Sequence, residues 1–72
     1  MQEAKAVRIV VNGEAQEVAD KITVQELLIS LDVKTKAVAV ERNLEIVPAA
    51  LHRECILCEG DQLEIVTLVG GG

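Results

Sequence analysis

The chain contains no Phe, Tyr or Trp. Its core must therefore be aliphatic, built from Val, Ile, Leu and Ala, and it has no rings on which bases or an aromatic cofactor would stack. Basic residues are also few: seven Lys and Arg stand against twelve Asp and Glu, a net charge of −5. Binding to nucleic acid or to an anionic membrane surface requires clustered cations, so this balance argues against both partners. No apolar run approaches the ~20 residues that cross a bilayer. Met1-Gln2-Glu3-Ala4-Lys5 lacks the basic start and apolar stretch of a signal peptide. The expectation is a cytoplasmic protein. With 72 residues, the chain buries only ~60% of the surface exposed when unfolded. That is too little to enclose a deep pocket, so catalysis carried out alone is not expected. An acidic body favours solubility and encounter with a partner whose docking site is basic.

What is present is strongly patterned. Val7, Ile9 and Val11 alternate with Arg8 and Val10, the period of a half-buried strand. Asn12-Gly13 follows, a hairpin signal because both residues tolerate positive φ. A second strand is predicted over Ala15 to Ala19, with Val18 facing inward. Thr23 and Glu26 have the spacing of a capping box, and Ile22 and Leu27 that of a hydrophobic staple. Val24, Leu27, Leu28 and Leu31 then form one helical stripe, with Ile29 off it. The pattern is lost beyond Leu31.

Ala37 to Glu41 reads as a third strand ending in the turn formers Arg42 and Asn43. Glu45-Ile46-Val47 reads as a short fourth strand stopped by Pro48, the single proline. Ala49 to Cys58 suggests a short helical turn leading into a loop. Glu59-Gly60-Asp61 makes a turn, and a last strand runs from Gln62 to about Val69. The order β-β-α-β-β-β predicts an α+β fold in which a mixed sheet wraps one helix.

If Leu63 and Ile65 point inward, Val66 and Leu68 share the outward face with Gln62 and Glu64. Two outward aliphatics are a candidate docking patch beside Gly70, although isolated exposed aliphatics are common. Gly70, Gly71 and Gly72 make a slender tail reaching roughly 10 Å beyond the folded body. Such a tail suits delivery of a carboxylate into a narrow active site. A frayed end is the plain alternative.

Cys55 and Cys58 form a C-x-x-C with His52 three residues earlier. These three, with Glu54, Glu59 or Asp61, have the donor types of a zinc site, and the cysteines alone those of a redox dithiol. No second ligand pair exists elsewhere. Ile56 and Leu57 point to a partly buried segment in which cysteine serves as a small hydrophobe. The scattered acids Glu14, Glu17, Asp20, Glu41, Glu45, Glu59, Asp61 and Glu64 read as a solvated surface, with partner electrostatics as the alternative for Glu64.

Several segments together resemble the thiamine-biosynthesis sulfur carrier family (ThiS). They are Val11-Asn12-Gly13-Glu14, Thr23-Val24-Gln25-Glu26-Leu27-Leu28, Val38-Ala39-Val40-Glu41-Arg42-Asn43, Glu45-Ile46-Val47-Pro48, Glu59-Gly60-Asp61-Gln62-Leu63-Glu64-Ile65-Val66 and the terminal glycines. The resemblance implies a β-grasp, ubiquitin-like fold: one carrier domain over residues 1–72, with 70–72 as a flexible tail. It implies a protein co-substrate rather than an enzyme. An adenylating partner (ThiF-like), similar to the ubiquitin-activating enzymes, would use ATP to join the Gly72 carboxylate to AMP, with Gly71 as the slender approach. The carrier itself would bind no cofactor. A persulfide donor would then supply sulfur, and the resulting thiocarboxylate would serve thiazole synthase (ThiG-like). The family ends in two glycines, whereas three close this chain. The rival expectations are the small subunit of molybdopterin synthase, another ubiquitin-like carrier or modifier, or a plain interaction module.

Overall fold

The computed structural model describes residues 5–33 and 37–67. The elements are β1 (Ala6–Val11), β2 (Glu14–Ala19), α1 (Val24–Ser30), β3 (Val38–Arg42), β4 (Glu45–Ile46), a 3-10 turn (Ala49–Leu51) and β5 (Gln62–Thr67). They form one sheet of order β2-β1-β5-β3-β4. The first and last strands run parallel, with Val10 beside Gln62 and Val11 beside Leu63. All other neighbours are antiparallel. The strand that closes the chain's sheet is thus its central one.

The Asn12-Gly13 hairpin forms as predicted, with φ of 50° and 84°. Between β3 and β4 the turn lies one residue later than its sequence signal. Arg42 remains in the strand, while Asn43 and Leu44 take φ of 52° and 72°. Two successive positive φ values match the twist of the flanking strands, as tight hairpins require. The leucine fills a place where Gly is the usual residue, and it stands 93% exposed.

Helix α1 begins with the predicted capping box. The Glu26 N–H donates to Thr23 Oγ1 at 3.1 Å, and the Thr23 N–H donates to Glu26 Oε1 at 3.0 Å. The next two orphan donors are satisfied by the loop after the 3-10 turn: Val24 N–H bonds the Cys55 carbonyl and Gln25 N–H that of His52, each at 2.9 Å. Replacing Thr23 with Ala is expected to lower unfolding free energy by about 1 kcal/mol. Urea denaturation followed by far-UV circular dichroism checks this; an unchanged midpoint would mean that the tertiary contacts alone hold the helix start.

The helix ends in a Schellman arrangement that no glycine announces. Asp32 adopts φ 62°, its N–H donates to the Ile29 carbonyl, and the Val33 N–H donates to the Leu28 carbonyl. Val33 packs against the core, giving the apolar contact that accompanies this cap.

The core comprises Ile9, Val11, Val24, Leu27, Leu28, Val40, Leu57 and Leu63. Ile22, Val18, Val38 and Ile65 pack at its margin, and Ile29 faces solvent as its place off the stripe predicts. Leu57 is buried because its segment passes alongside the helix start, where Thr23 and Ile56 form a lone antiparallel bridge. Its N–H donates to the Ile22 carbonyl at 2.8 Å. Among the described residues no helix is long and apolar enough to cross a membrane.

Candidate functional site

Strand β5 carries the predicted docking residues, so what fixes β5 defines the site. Alternation sends Leu63 and Ile65 toward the core and leaves Gln62, Glu64 and Val66 exposed, as expected. Val66 is 52% exposed and stands opposite Ala39 of β3. The other predicted site residues, Leu68, Gly70, Gly71 and Gly72, lie outside the described residues, as does Val69.

Two turn asparagines hold β5 from either side. Asn12 Oδ1 accepts the Ile65 N–H at 2.8 Å, and its Nδ2 donates to the Ile65 carbonyl at 3.2 Å. This side chain prolongs the short β1–β5 ladder past the end of β1. Asn43 mirrors it: Oδ1 accepts the Gln62 N–H at 2.9 Å, while Asn43 N–H donates to the Gln62 carbonyl at 2.7 Å. Sequence reading assigned both asparagines to turns and missed their second task. The signal was the residue type: Asn tolerates positive φ and also carries an amide that copies the backbone donor–acceptor pair.

The approach to β5 is fixed by Asp61, and here the structure corrects the solvated reading of that acid. Asp61 is only 6% exposed. Its Oδ2 accepts from Arg42 Nε and from the Cys58 N–H, each at 2.8 Å, and its Oδ1 accepts from Asn43 Nδ2 at 3.1 Å. Burial opposes ionisation, but the Cys58 N–H, the Asn43 amide and the Arg42 guanidinium together hold the carboxyl below its ordinary range. The same hydrogen bond raises Arg42, against the opposing effect of burial.

A carboxyl depressed by folding stabilises the native state above its unfolded value of about 3.9 and loses that contribution as pH falls through the folded value. Unfolding free energy is therefore expected to fall below about pH 4. Asp61→Asn should flatten that part of the profile, which urea titrations across the acid range measure directly. An unaltered acid limb would assign the effect to other carboxylates.

Arg42 also separates the two cysteines. Its Nη1 lies 3.8 Å from Cys55 Sγ and its Nη2 3.9 Å from Cys58 Sγ. Cys55 packs against the core margin, whereas Cys58 is exposed. His52 is buried, with Nε2 at 3.0 Å from the Val47 carbonyl, so it does not join them. Among the described residues no group of three His, Cys, Asp or Glu is placed to hold a metal. The guanidinium is the cation that this cluster surrounds.

The arrangement is a rigid central strand with an exposed acidic and aliphatic outer face, leading directly toward residues 68–72. Comparison with known proteins agrees with that reading. The sequence pattern of the ThiS family matches residues 5–72. The sulfur carrier protein ThiS of Bacillus subtilis (strain 168) is 47% identical over 53 residues, covering 74% of this chain and 80% of that protein. A thiazole synthase of Paramagnetospirillum magneticum is 46% identical over 65 residues, covering 90% of this chain; the chain spans 20% of that protein's length. The crystal structure of the thiamine biosynthesis protein ThiS from Geobacter metallireducens superposes with a TM-score of 0.79 at 32% identity, covering 92% of this chain and 100% of that one. With the sheet order, the capped helix and the match running through Gly72 in agreement, this chain belongs to the ThiS family and has its β-grasp fold.

Proposed function

We propose that the protein is a sulfur carrier for formation of the thiazole of thiamine, acting in the cytoplasm as a co-substrate of other enzymes. Family membership across residues 5–72 is the observation that carries this reading. The fold supports it: β5 is held on both sides by ladders and by Asn12 and Asn43, giving a firm base from which the following residues extend.

The reacting group in this reading is the carboxylate of Gly72. A carboxylate is a poor electrophile because its departing group would be oxide. Transfer to AMP at the expense of ATP, on an adenylating partner, supplies a good leaving group. A persulfide sulfur attacks the carbonyl carbon and AMP departs. Thiol cleavage of the remaining sulfur–sulfur bond then frees the thiocarboxylate. The carrier contributes a bare approach through Gly71, Gly70 beside it, and a docking surface that includes Val66 and Leu68. It binds no cofactor of its own; ATP belongs to the partner.

A thiazole synthase that carries a segment 46% identical to this chain within a longer polypeptide supports a synthase as the recipient of the sulfur. Intact mass spectrometry after incubation with ATP, the adenylating enzyme and a persulfide donor tests the whole scheme. The expected product has one terminal oxygen replaced by sulfur. An unchanged mass with an enzyme active on another ThiS protein would overturn it.

A further inference from the structure

Outside the network around Arg42, the outer face of the sheet holds an arrangement that folding alone does not explain. Glu41 of β3 and Glu64 of β5 are direct partners in the antiparallel register. Their Cβ atoms are therefore about 5 Å apart, and like charges so placed destabilise a sheet. Among the described residues neither carboxylate has a side-chain hydrogen bond or ion pair, whereas the cations near the sheet are committed: Arg8 to Glu17 at 3.8 Å, and Arg42 to Asp61 at 2.8 Å.

The pair opens onto a surface recess of about 470 Å³ walled by Val10 and by Leu44, the leucine at positive φ. Aliphatic groups continue the surface on both flanks. Ile46 is the β4 partner of Glu41 and is 71% exposed, and Val66 is the next outward residue after Glu64 along β5. Glu64 precedes Thr67, the last described residue, by three positions, roughly 10 Å along a strand. A partner reaching past Thr67 for the tail passes over Val66 and meets the acidic pair.

We infer that this face docks the adenylating partner, and that the partner inserts one arginine or lysine, flanked by aliphatic side chains, between Glu41 and Glu64. The inference rests on the carrier reading, and the adenylating enzyme is the occupant because the carboxylate must be activated before sulfur enters. A cation between the two carboxylates removes their repulsion, so the unfavourable pairing in the free chain becomes a favourable contact in the complex. The aliphatic flanks exclude water from that contact and strengthen it. A nucleic acid is excluded by the sign of the charge. Two carboxylates on a flat sheet also fall short of the six or more oxygens that a hard divalent cation takes.

The test compares the full chain with Glu41→Gln/Glu64→Gln in steady-state adenylation, using the adenylating enzyme and ATP at low and high salt. The expected result is a KM for the carrier raised at least about tenfold with kcat unchanged. Salt should raise the wild-type KM and leave that of the variant flat. The denaturation midpoint of the variant should equal or exceed that of the wild type, which a merely structural role for the pair would not produce. Glu64→Lys should raise KM further than Glu64→Gln. Normal adenylation of the wild type with a variant KM within about twofold overturns the inference and leaves the carrier reading standing. A wild-type chain that is not adenylated overturns both. If sedimentation instead shows a dimer that the double variant dissociates, the occupant is a second copy and the inference fails.

Discussion

Replacing Gly71 with Val, or removing Gly72, is expected to abolish thiocarboxylate formation while leaving the denaturation midpoint unchanged. A β-branched side chain at Gly71 both widens the approach and removes the backbone conformations that only glycine takes without cost. Removing Gly72 draws the carboxylate back by ~3.3–3.6 Å. Reacting atoms must come within about 3–3.5 Å of each other, and a misplacement of ~1 Å can already cost 10²-fold. The loss should therefore exceed that of any single docking substitution. Neither residue contributes to the described core, so stability is expected to be untouched. Intact mass spectrometry of each variant after the loading reaction, with a urea titration alongside, reads both halves. Normal loading of Gly71→Val would sink the assignment of the reacting end.

Asp61→Ala is expected to produce the largest loss of stability of any surface-strand substitution, about 3 kcal/mol. The change strands the Arg42 guanidinium beside two thiols. It also leaves the Cys58 N–H and the Asn43 amide without their acceptor. A domain this small has only ~3–5 kcal/mol to lose, so the variant should be largely unfolded at room temperature. Arg42→Met should be milder, because the carboxylate then keeps two of its three donors. Thermal melts of the two variants give the order directly. A Asp61→Ala melt superimposing on the wild type would show that the network is ornamental.

How much of this was legible in the residues follows from how local each signal is. The capping box, the helical stripe, the Asn12-Gly13 turn and the alternation in β5 depend on neighbours within a few positions, and each was placed correctly. The docking face was legible to the same extent, since outward placement of Val66 follows from alternation alone. The Asn43-Leu44 turn was set one residue early because leucine does not announce positive φ. Asp32 hid the helix end for the same reason. Asp61 was read as solvated because its partners, Arg42 and Asn43, lie on another strand. The opposed pair Glu41–Glu64 was equally out of reach, since register is a relation between strands that neither strand's pattern contains.

The central position of β5 has a consequence for how this protein is made. During synthesis the ribosome releases the chain from its first residue onward, so β1, β2, α1, β3 and β4 are all available before the strand that must sit between β1 and β3. The two hairpins have no common sheet until then, and the parallel pairing of Val10 with Gln62 joins the two ends of the described chain. A nascent chain thus cannot mature in stages. It waits nearly whole before it folds, and an activating enzyme that recognises the sheet meets only chains whose translation has passed β5.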